Sequence, residues 1–280
     1  MHQEIERLAA EALLEDVGQE DLTTEAIVPE QARCEARLLA KQDGVLSGID
    51  LFRTTLALAG AGLEDWNARF DGERFVSGDV IATFGGRARG VLTGERTALN
   101  FLQHLSGIAT LTAAFVEQVD GLPCRIADTR KTMPMLRRVE KHAVVDGGGV
   151  NHRYNLATGI LIKENHIAAA GGIGEALSRA RQAASHLMRV EIEVRSLEEL
   201  EEALEGGAEA VLLDNMDLDM MTAAVALARA NYPGVMLEAS GNVTLGRVRA
   251  IAETGVDLIS VGALTHSAPA IDLSLLIEHV

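Results

Sequence analysis

Aromatic residues are almost missing from this chain: they make up 3% of its 280 residues, against 48% hydrophobic residues in all. The core must therefore be built from Leu, Val, Ile and Ala, which suits parallel β/α architecture better than an antiparallel sandwich with aromatic strands. Cysteine is scarce as well. Cys34 and Cys124 lie far apart without metal-type spacing; they read as buried thiols of a reducing compartment, a disulfide being the lesser alternative. Positive charge is in short supply, with 25 Lys and Arg against 41 Asp and Glu and a formal net charge of −16. A nucleic acid or an anionic membrane needs a basic surface, so neither is expected as a partner. No apolar run is expected to span a bilayer. The acidic, amphipathic start, MHQEIERLAAEALLEDVGQEDLTTE, has no charged-then-apolar signal pattern. A cytoplasmic protein is the expectation. Walker A loops, GxSxG elbows, HExxH and CxxC motifs are all missing, which removes the common phosphate-loop, serine-hydrolase and zinc chemistries.

What remains is long enough for one large domain or two modest ones. Residues 1–16 place Ile5, Leu8, Ala9, Ala12 and Leu13 at helical spacing. A hairpin is expected over 33–48, from Ala36–Ala40 through Asp43-Gly44 to Val45–Ser47. A short helix near Asp50–Ala59 follows, then strands around Trp66–Phe70 and Val80–Phe84. Thr93–Val119 reads as one or two helices, broken or kinked near Ser106-Gly107. From Cys124 onward short apolar runs alternate with helical patterns: CRIAD, GILIK, VEIEV, AVLLDN, VMLEASG and DLISVGAL. Their polar ends fall near Asp128, Lys163, Glu193, Asp214, Ser240 and Gly262, at steps of 21 to 35 residues. Such alternation implies a parallel sheet. Six units without a Rossmann fingerprint favour a closed or nearly closed α/β barrel, with a doubly wound open sheet as the alternative. In a barrel the site lies where strands end, and each of these runs ends in a polar residue or glycine.

One stretch inverts the chain's charge. Between Arg125 and Lys163 stand eight Lys or Arg against three acids, a pattern that focuses anions in a cleft. Arg130-Lys131 and Lys163 follow strands directly and should face the barrel mouth; Arg137, Arg138 and Lys141 read as a solvated helix face. The triplet Gly147–Gly149 precedes His152-Arg153 and lets backbone approach a ligand, or else forms a mobile loop. His142 reads as structural or surface. Glu191 and Glu193 alternate on one strand face and should point inward, where a carboxylate needs a cation, a metal or a hydroxylated ligand. For Glu191 a salt bridge to Lys163 or Arg153 is as good a reading as a functional role. Glu193 and Asp214 end strands, where Mg²⁺ or sugar hydroxyls are natural partners. Ser240-Gly241-Asn242 and Gly262-Ala263-Leu264 end the last two strands before helices, where backbone amides bind phosphate.

Taken in order, ADTRKT (127–132), GGGVNHR (147–153), LIKENH (161–166), VEIEV (190–194), LLDNM (212–216), EASGN (238–242) and VGAL (261–264) resemble the quinolinate phosphoribosyltransferase family. That family is also called nicotinate-nucleotide pyrophosphorylase (carboxylating). EDVGQEDLTT (15–24), GVLSGID (44–50) and GERTALNFLQHLSGIAT (94–110) extend the likeness to nearly the whole chain. A relative associated with molybdenum transport shares the DTRKT region but keeps the later motifs poorly.

The resemblance implies a reaction of quinolinate with phosphoribosyl pyrophosphate, in the presence of Mg²⁺, giving nicotinate mononucleotide, pyrophosphate and CO₂. It also implies an amino-terminal α/β sandwich, here 1–108, followed by an incomplete barrel, 109–267, with a helix over 268–280 packing back on the sandwich. Arg96 would be an active-site arginine supplied by a neighbouring subunit, hence at least a homodimer. Thr129, Arg130, Lys131, His152, Arg153 and Lys163 match the anion-binding cluster. Glu193 and Asp214 match the acids facing ribose and metal. Ser240, Gly241, Asn242, Gly262, Ala263 and Leu264 match the phosphate loops, with His266 nearby. Arg96, Lys131, Lys163, Glu193 and Asp214 are the implied catalytic set. Arg195 and Glu164 depart from the family pattern and are expected to touch no ligand position. Two competing readings are a non-catalytic sensor of a phosphorylated metabolite and a barrel enzyme acting on another phosphoribosyl acceptor, such as nicotinate.

Overall fold

The computed structural model describes residues 2–279; Met1 and Val280, the ends of the expected first and last segments, lie outside the described residues. The chain divides into two compact units. One comprises Met1–Leu111, Val145–Gly148 and Ala268–Val280, the other Thr112–Val144 and Gly149–Ser267.

In the first unit the order is α1 (His2–Val17), α2 (Leu22–Ile27), β1 (Arg33–Ala40), β2 (Gly44–Val45), α3 (Ile49–Leu58), β3 (Glu64–Ala68), β4 (Arg74–Phe75), β5 (Val80–Arg87) and α4 (Ala88–Gln118). The expected hairpin over 33–48 does not form. β1 buries Cys34, Ala36, Leu38 and Ala40 on one face, and both its edges are occupied by antiparallel partners of similar length, β5 and the carboxy-terminal strand. The two-residue β2 pairs with β4 instead. Phe52, Trp66 and Phe84, three of the few aromatics, cluster with ring centroids 5.2 to 6.4 Å apart.

The carboxy-terminal helix expected over 268–280 is a strand, Leu273–His279, which joins β1 at the edge of the sheet. Leu273 and Leu275 are buried, while Leu276 and Glu278 face outward. Burial thus recurs every second residue, the period of a strand rather than a helix. Nor does the helix over Thr93–Val119 break at Ser106-Gly107; α4 runs through unbroken. Glycine stands there because a Cβ at 107 would collide with the Pro269 carbonyl oxygen. The segment leading into the last strand is then tied to α4 by Ile271 N–H donating to the Gln103 carbonyl, 3.0 Å. Contrary to the expectation drawn from hydropathy, α4 is long and apolar enough to cross a membrane, with mean hydropathy 1.2 in its most apolar stretch. Over half of that stretch, 56%, is buried inside the protein, as in a core helix.

The second unit repeats strand and helix: β6 (Arg125–Ala127), α5 (Arg137–Asp146), β7 (Ile160–Ile162), α6 (Glu164–Ala170), α7 (Ile173–Ala183), β8 (Val190–Val194), α8 (Leu197–Glu205), β9 (Ala210–Asp214), α9 (Leu218–Asn231), β10 (Met236–Ser240), α10 (Leu245–Glu253), β11 (Leu258–Ser260) and the short α11 (Ala263–His266), before β12, the Leu273–His279 strand of the first unit. All six expected strands are present, in one parallel sheet ordered β6-β11-β10-β9-β8-β7. From β7 to β11 each strand lies beside its predecessor, without the order reversal of a doubly wound sheet. Among the described residues no pairing joins β6 to β7, so the barrel is incomplete. Val150 occupies the free edge of β6 through a parallel bridge to Ala127. Every residue of β8 is buried, as expected of a strand covered on both faces.

Candidate active site

The carboxyl ends of the strands enclose a cavity of about 510 Å³. Thr129, Arg130 and Lys131 enter it after β6, and Lys163 after β7. Glu193 and Asp214 come from the ends of β8 and β9, and Ser240, Gly241 and Asn242 from the end of β10. His152 and Arg153 reach it from the segment beside β6. Cations and acids thus line one cavity, with Lys163 directly beside Glu193.

The His152-Arg153 segment is rigidly built. A Cβ at Gly149 would lie 2.8 Å from Thr112 and Val144 side-chain carbons, so only glycine lets the chain pass. Val150 N–H then donates to the Ile126 carbonyl at 2.8 Å and Asp128 N–H to the Val150 carbonyl at 3.1 Å. The buried Asp128 carboxylate accepts His152 N–H at 2.8 Å and is ion-paired with Lys141, whose Nζ also donates to the His152 carbonyl at 3.0 Å. Lys141 is therefore not on a solvated face; it is 3% exposed and holds the backbone of a cavity residue. Burial pushes Asp128 up and Lys141 down from their ordinary pKa values, opposed in each case by their mutual hydrogen bond and charge.

The two arginines lack anions. Arg130 Nε and Arg153 Nε are both buried without a hydrogen-bond partner among the described residues. Burial, then the charge of Arg130, lowers the pKa of Arg153. Two nearby guanidiniums with free donors form a natural seat for carboxylates.

The acids have cations already. Glu193 Oε2 accepts from Lys163 Nζ at 2.9 Å. Arg195, expected to touch no ligand position, bridges both acids and Glu164: its guanidinium lies 3.6 Å from Asp214 Oδ2, 3.8 Å from Glu193 Oε1 and 2.6 Å from Glu164 Oε2. The two residues that depart from the family pattern therefore form one ion pair. A protein-only Mg²⁺ cage is not built here. Two carboxylates with their remaining ligands left to water and substrate phosphate do match the way Mg²⁺ is usually held, so Glu193 and Asp214 fit that ion.

Glu191 pairs with neither Lys163 nor Arg153. Its Oε2 lies 3.0 Å from His152 Nε2, and Glu238 Oε2, from β10, lies 3.6 Å from the same nitrogen. His152 Nδ1 accepts Arg153 N–H at 2.8 Å. The ring proton therefore sits on Nε2 and is donated to Glu191. The Glu191 hydrogen bond raises the affinity of the ring for protons, with burial opposing it.

The strand ends for phosphate are also shaped. At Gly241, φ 97°, a Cβ would collide with the Asn215 amide. Asn215 and Asn242 also have positive φ, 56° and 50°, and Asn242 Nδ2 donates to Asn215 Oδ1 at 3.2 Å. Gly262 lies against Lys131 and His266: a Cβ there would be 3.0 Å from Lys131 Cδ and 3.2 Å from His266 Nε2. Ala263 is half-buried and His266 exposed, whereas Leu264 is fully buried. Only the backbone of Leu264 is free to meet a ligand. Arg96 belongs to the first unit, exposed on α4, and is not among the residues that line the cavity.

Sequence reasoning gave no role to Lys141, Arg195 or Glu238. Lys141 was legible as a position shared with the buried Val144 on α5. Glu238 was legible as the inward residue two before Ser240 on β10.

Comparison with known proteins identifies the family. Residues 21–106 match the family model for the N-terminal domain of quinolinate phosphoribosyl transferase, and residues 108–276 the one for its C-terminal domain. The chain is 42% identical over 274 residues to a probable nicotinate-nucleotide pyrophosphorylase [carboxylating] of Bacillus subtilis, covering 98% of this chain and 93% of that protein. It is also 42% identical to the nicotinate-nucleotide pyrophosphorylase [carboxylating] of Mycobacterium leprae, over 91% of this chain and 90% of the other. The crystal structure of NadC from Streptococcus pyogenes superimposes with a TM-score of 0.94 at 40% identity, covering 100% of this chain and 98% of that one. The chain belongs to the quinolinate phosphoribosyl transferase family.

Proposed function

We propose that this protein transfers the phosphoribosyl group of phosphoribosyl pyrophosphate to the ring nitrogen of quinolinate, with loss of pyrophosphate and CO₂, to give nicotinate mononucleotide. The reaction supplies the pyridine nucleotide for de novo NAD synthesis. The observation that carries this reading is the pair of half-buried arginines, Arg130 and Arg153, each with an unpartnered Nε donor, in a cavity also lined by Glu193 and Asp214. A dicarboxylate satisfies two forks at once; nicotinate, with one carboxylate, leaves one of them unmet.

In this reading Arg130, Arg153 and Lys163 hold the two carboxylates and aim the ring nitrogen at the anomeric carbon. Glu193 and Asp214 face the ribose and stabilise the positive charge that develops as pyrophosphate departs. They are also the residues that would hold Mg²⁺, which when bound supplies charge neutralisation for the leaving group. Ser240-Gly241-Asn242 and the turn at Gly262 offer backbone N–H groups to the phosphates. Once ribosylated, the ring nitrogen is cationic, and the adjacent carbon can lose CO₂ while keeping the electron pair. Arg96, exposed on α4, is assigned to the site of a second copy, so the active form is at least a homodimer in a cytoplasmic, reducing setting.

The purified protein, given quinolinate, phosphoribosyl pyrophosphate and Mg²⁺, is expected to form nicotinate mononucleotide, read by chromatography against a standard. Consumption of nicotinate in place of quinolinate would move the assignment to a different acceptor.

A further inference from the structure

The barrel interior is open from both ends onto the same side chains. A second cavity, about 800 Å³, opens among the strand starts, lined there by Arg125, Ile160, Ala210, Met236 and Leu258. It shares His152, Arg153 and Glu238 with the cavity at the strand ends. Glu238 is 1% exposed, and neither of its carboxyl oxygens has a hydrogen-bond partner among the described residues; Glu191 Oε1 is likewise unpartnered. Two such carboxyl groups facing one imidazole must share either a metal ion or a proton, because bare buried charge is too costly.

The imidazole decides between them. A metal-bound histidine donates its other ring N–H to an acceptor. Here that nitrogen, Nδ1, instead accepts Arg153 N–H, which leaves the proton on Nε2 where a metal would bind. The cluster therefore holds a proton. Glu191 already accepts from Nε2 at 3.0 Å, whereas Glu238 lies 3.6 Å from that nitrogen and is the more deeply buried of the two, so the neutral acid is Glu238. Burial, and after it the Glu191 charge, pushes the Glu238 carboxyl up to about 7, with His152 pulling the other way.

The reaction proposed above leaves one need unmet: a proton for the ring carbon that loses CO₂. We propose that Glu238 is the general acid that delivers it. This rests on the proposed function. The bond from the ring carbon to its carboxylate breaks, CO₂ leaves, and the electron pair stays on the carbon beside the cationic nitrogen. That pair takes the proton of Glu238, whose O–H bond breaks to leave a carboxylate. A water proton entering through the cavity at the strand starts restores the acid. Other groups nearby serve less well: the guanidiniums do not give up protons, and the His152 proton is committed to Glu191.

The test is a single turnover of the full-length enzyme, following pyrophosphate, CO₂ and nicotinate mononucleotide separately. In Glu238→Gln, which keeps the shape but has no acidic proton, pyrophosphate release is expected to persist. Nicotinate mononucleotide formation should fall by about 10²-fold, the usual contribution of a general acid. Equal loss of both steps in a folded variant, or loss of neither, overturns the proposal. Should Glu238→Gln fail to fold, the wild-type enzyme still decides. The rate of product formation relative to pyrophosphate release must fall as pH rises through about 7, where Glu238 gives up its proton beside His152, Glu191 and Arg153; a flat ratio overturns the proposal. If wild-type enzyme fails to turn over quinolinate at all, the proposed function itself is what fails.

Discussion

Arg195 Nε lies 3.6 Å from Asp214 Oδ2, so a cation of the protein already stands over the acid assigned to ribose and Mg²⁺. Its guanidinium is fastened on the other side to Glu164, at 2.6 Å. Exposed ion pairs of this kind are weak and are screened by salt. Arg195→Ala is therefore expected to lower the Mg²⁺ concentration for half-maximal activity by roughly 1.5- to 5-fold. Mg²⁺ titrations of both enzymes, by activity and by calorimetry without substrate, check this; an unchanged or higher Mg²⁺ requirement contradicts it.

Arg130 has a buried Nε with no partner, so removing its side chain deletes a substrate contact and little protein structure. Arg130→Ala should cut kcat/KM for quinolinate by about 10-fold to 150-fold, the worth of hydrogen bonds to a charged group. Its thermal midpoint should stay near that of wild type. Steady-state kinetics paired with a melting curve measures both; wild-type-like activity removes Arg130 from the clamp.

Lys141 behaves in the opposite way. It is paired with a fully buried Asp128, and breaking such a pair costs about 3–5 kcal/mol because one charge stays behind. Lys141→Met should therefore lower stability strongly in denaturant titrations, and lower activity through the displaced His152 backbone. A double variant, Lys141→Met with Asp128→Leu, should recover stability without recovering activity.

Glu238 ties stability to pH. Its folded pKa, about 7, lies above the ordinary value of 4.5. The folded protein thus binds a proton between those values that the unfolded chain does not, and stability falls as pH rises from about 4.5 to about 7. Below 4.5 the contribution is fully present; above 7 it is gone. Glu238→Gln removes this slope. Chemical unfolding of both proteins across that range should show the gap between them changing with pH, and a constant gap would contradict the placement of the proton.

How much of this was legible in the sequence depends on which period carried the signal. The six barrel strands stand out because each is a short apolar run ending in a polar residue or glycine. The cavity residues Arg130, Lys163, Glu193 and Asp214 follow directly from those ends. The carboxy-terminal helix was implied by the family resemblance alone, while the alternation of Ile271, Leu273, Leu275 and Ile277 in the sequence already has the period of the strand that forms. Gly107 looked like a break in α4; its reason is the Pro269 backbone, over 160 residues away in sequence, which no local pattern can reveal. Lys141 and Arg195 were misjudged for a related reason. A lone cation reads as solvated until the acid it meets is known, and Asp128 and Asp214 meet theirs only through the fold.

The central claim is that quinolinate, and not a monocarboxylate, is ribosylated and decarboxylated in this cavity. Quinolinate labelled in the carboxylate next to the ring nitrogen, mixed with enzyme, phosphoribosyl pyrophosphate and Mg²⁺, gives the most direct measurement. The account predicts one labelled CO₂ for each pyrophosphate released. Pyrophosphate without labelled CO₂, or neither product while nicotinate is consumed in a parallel reaction, would contradict it.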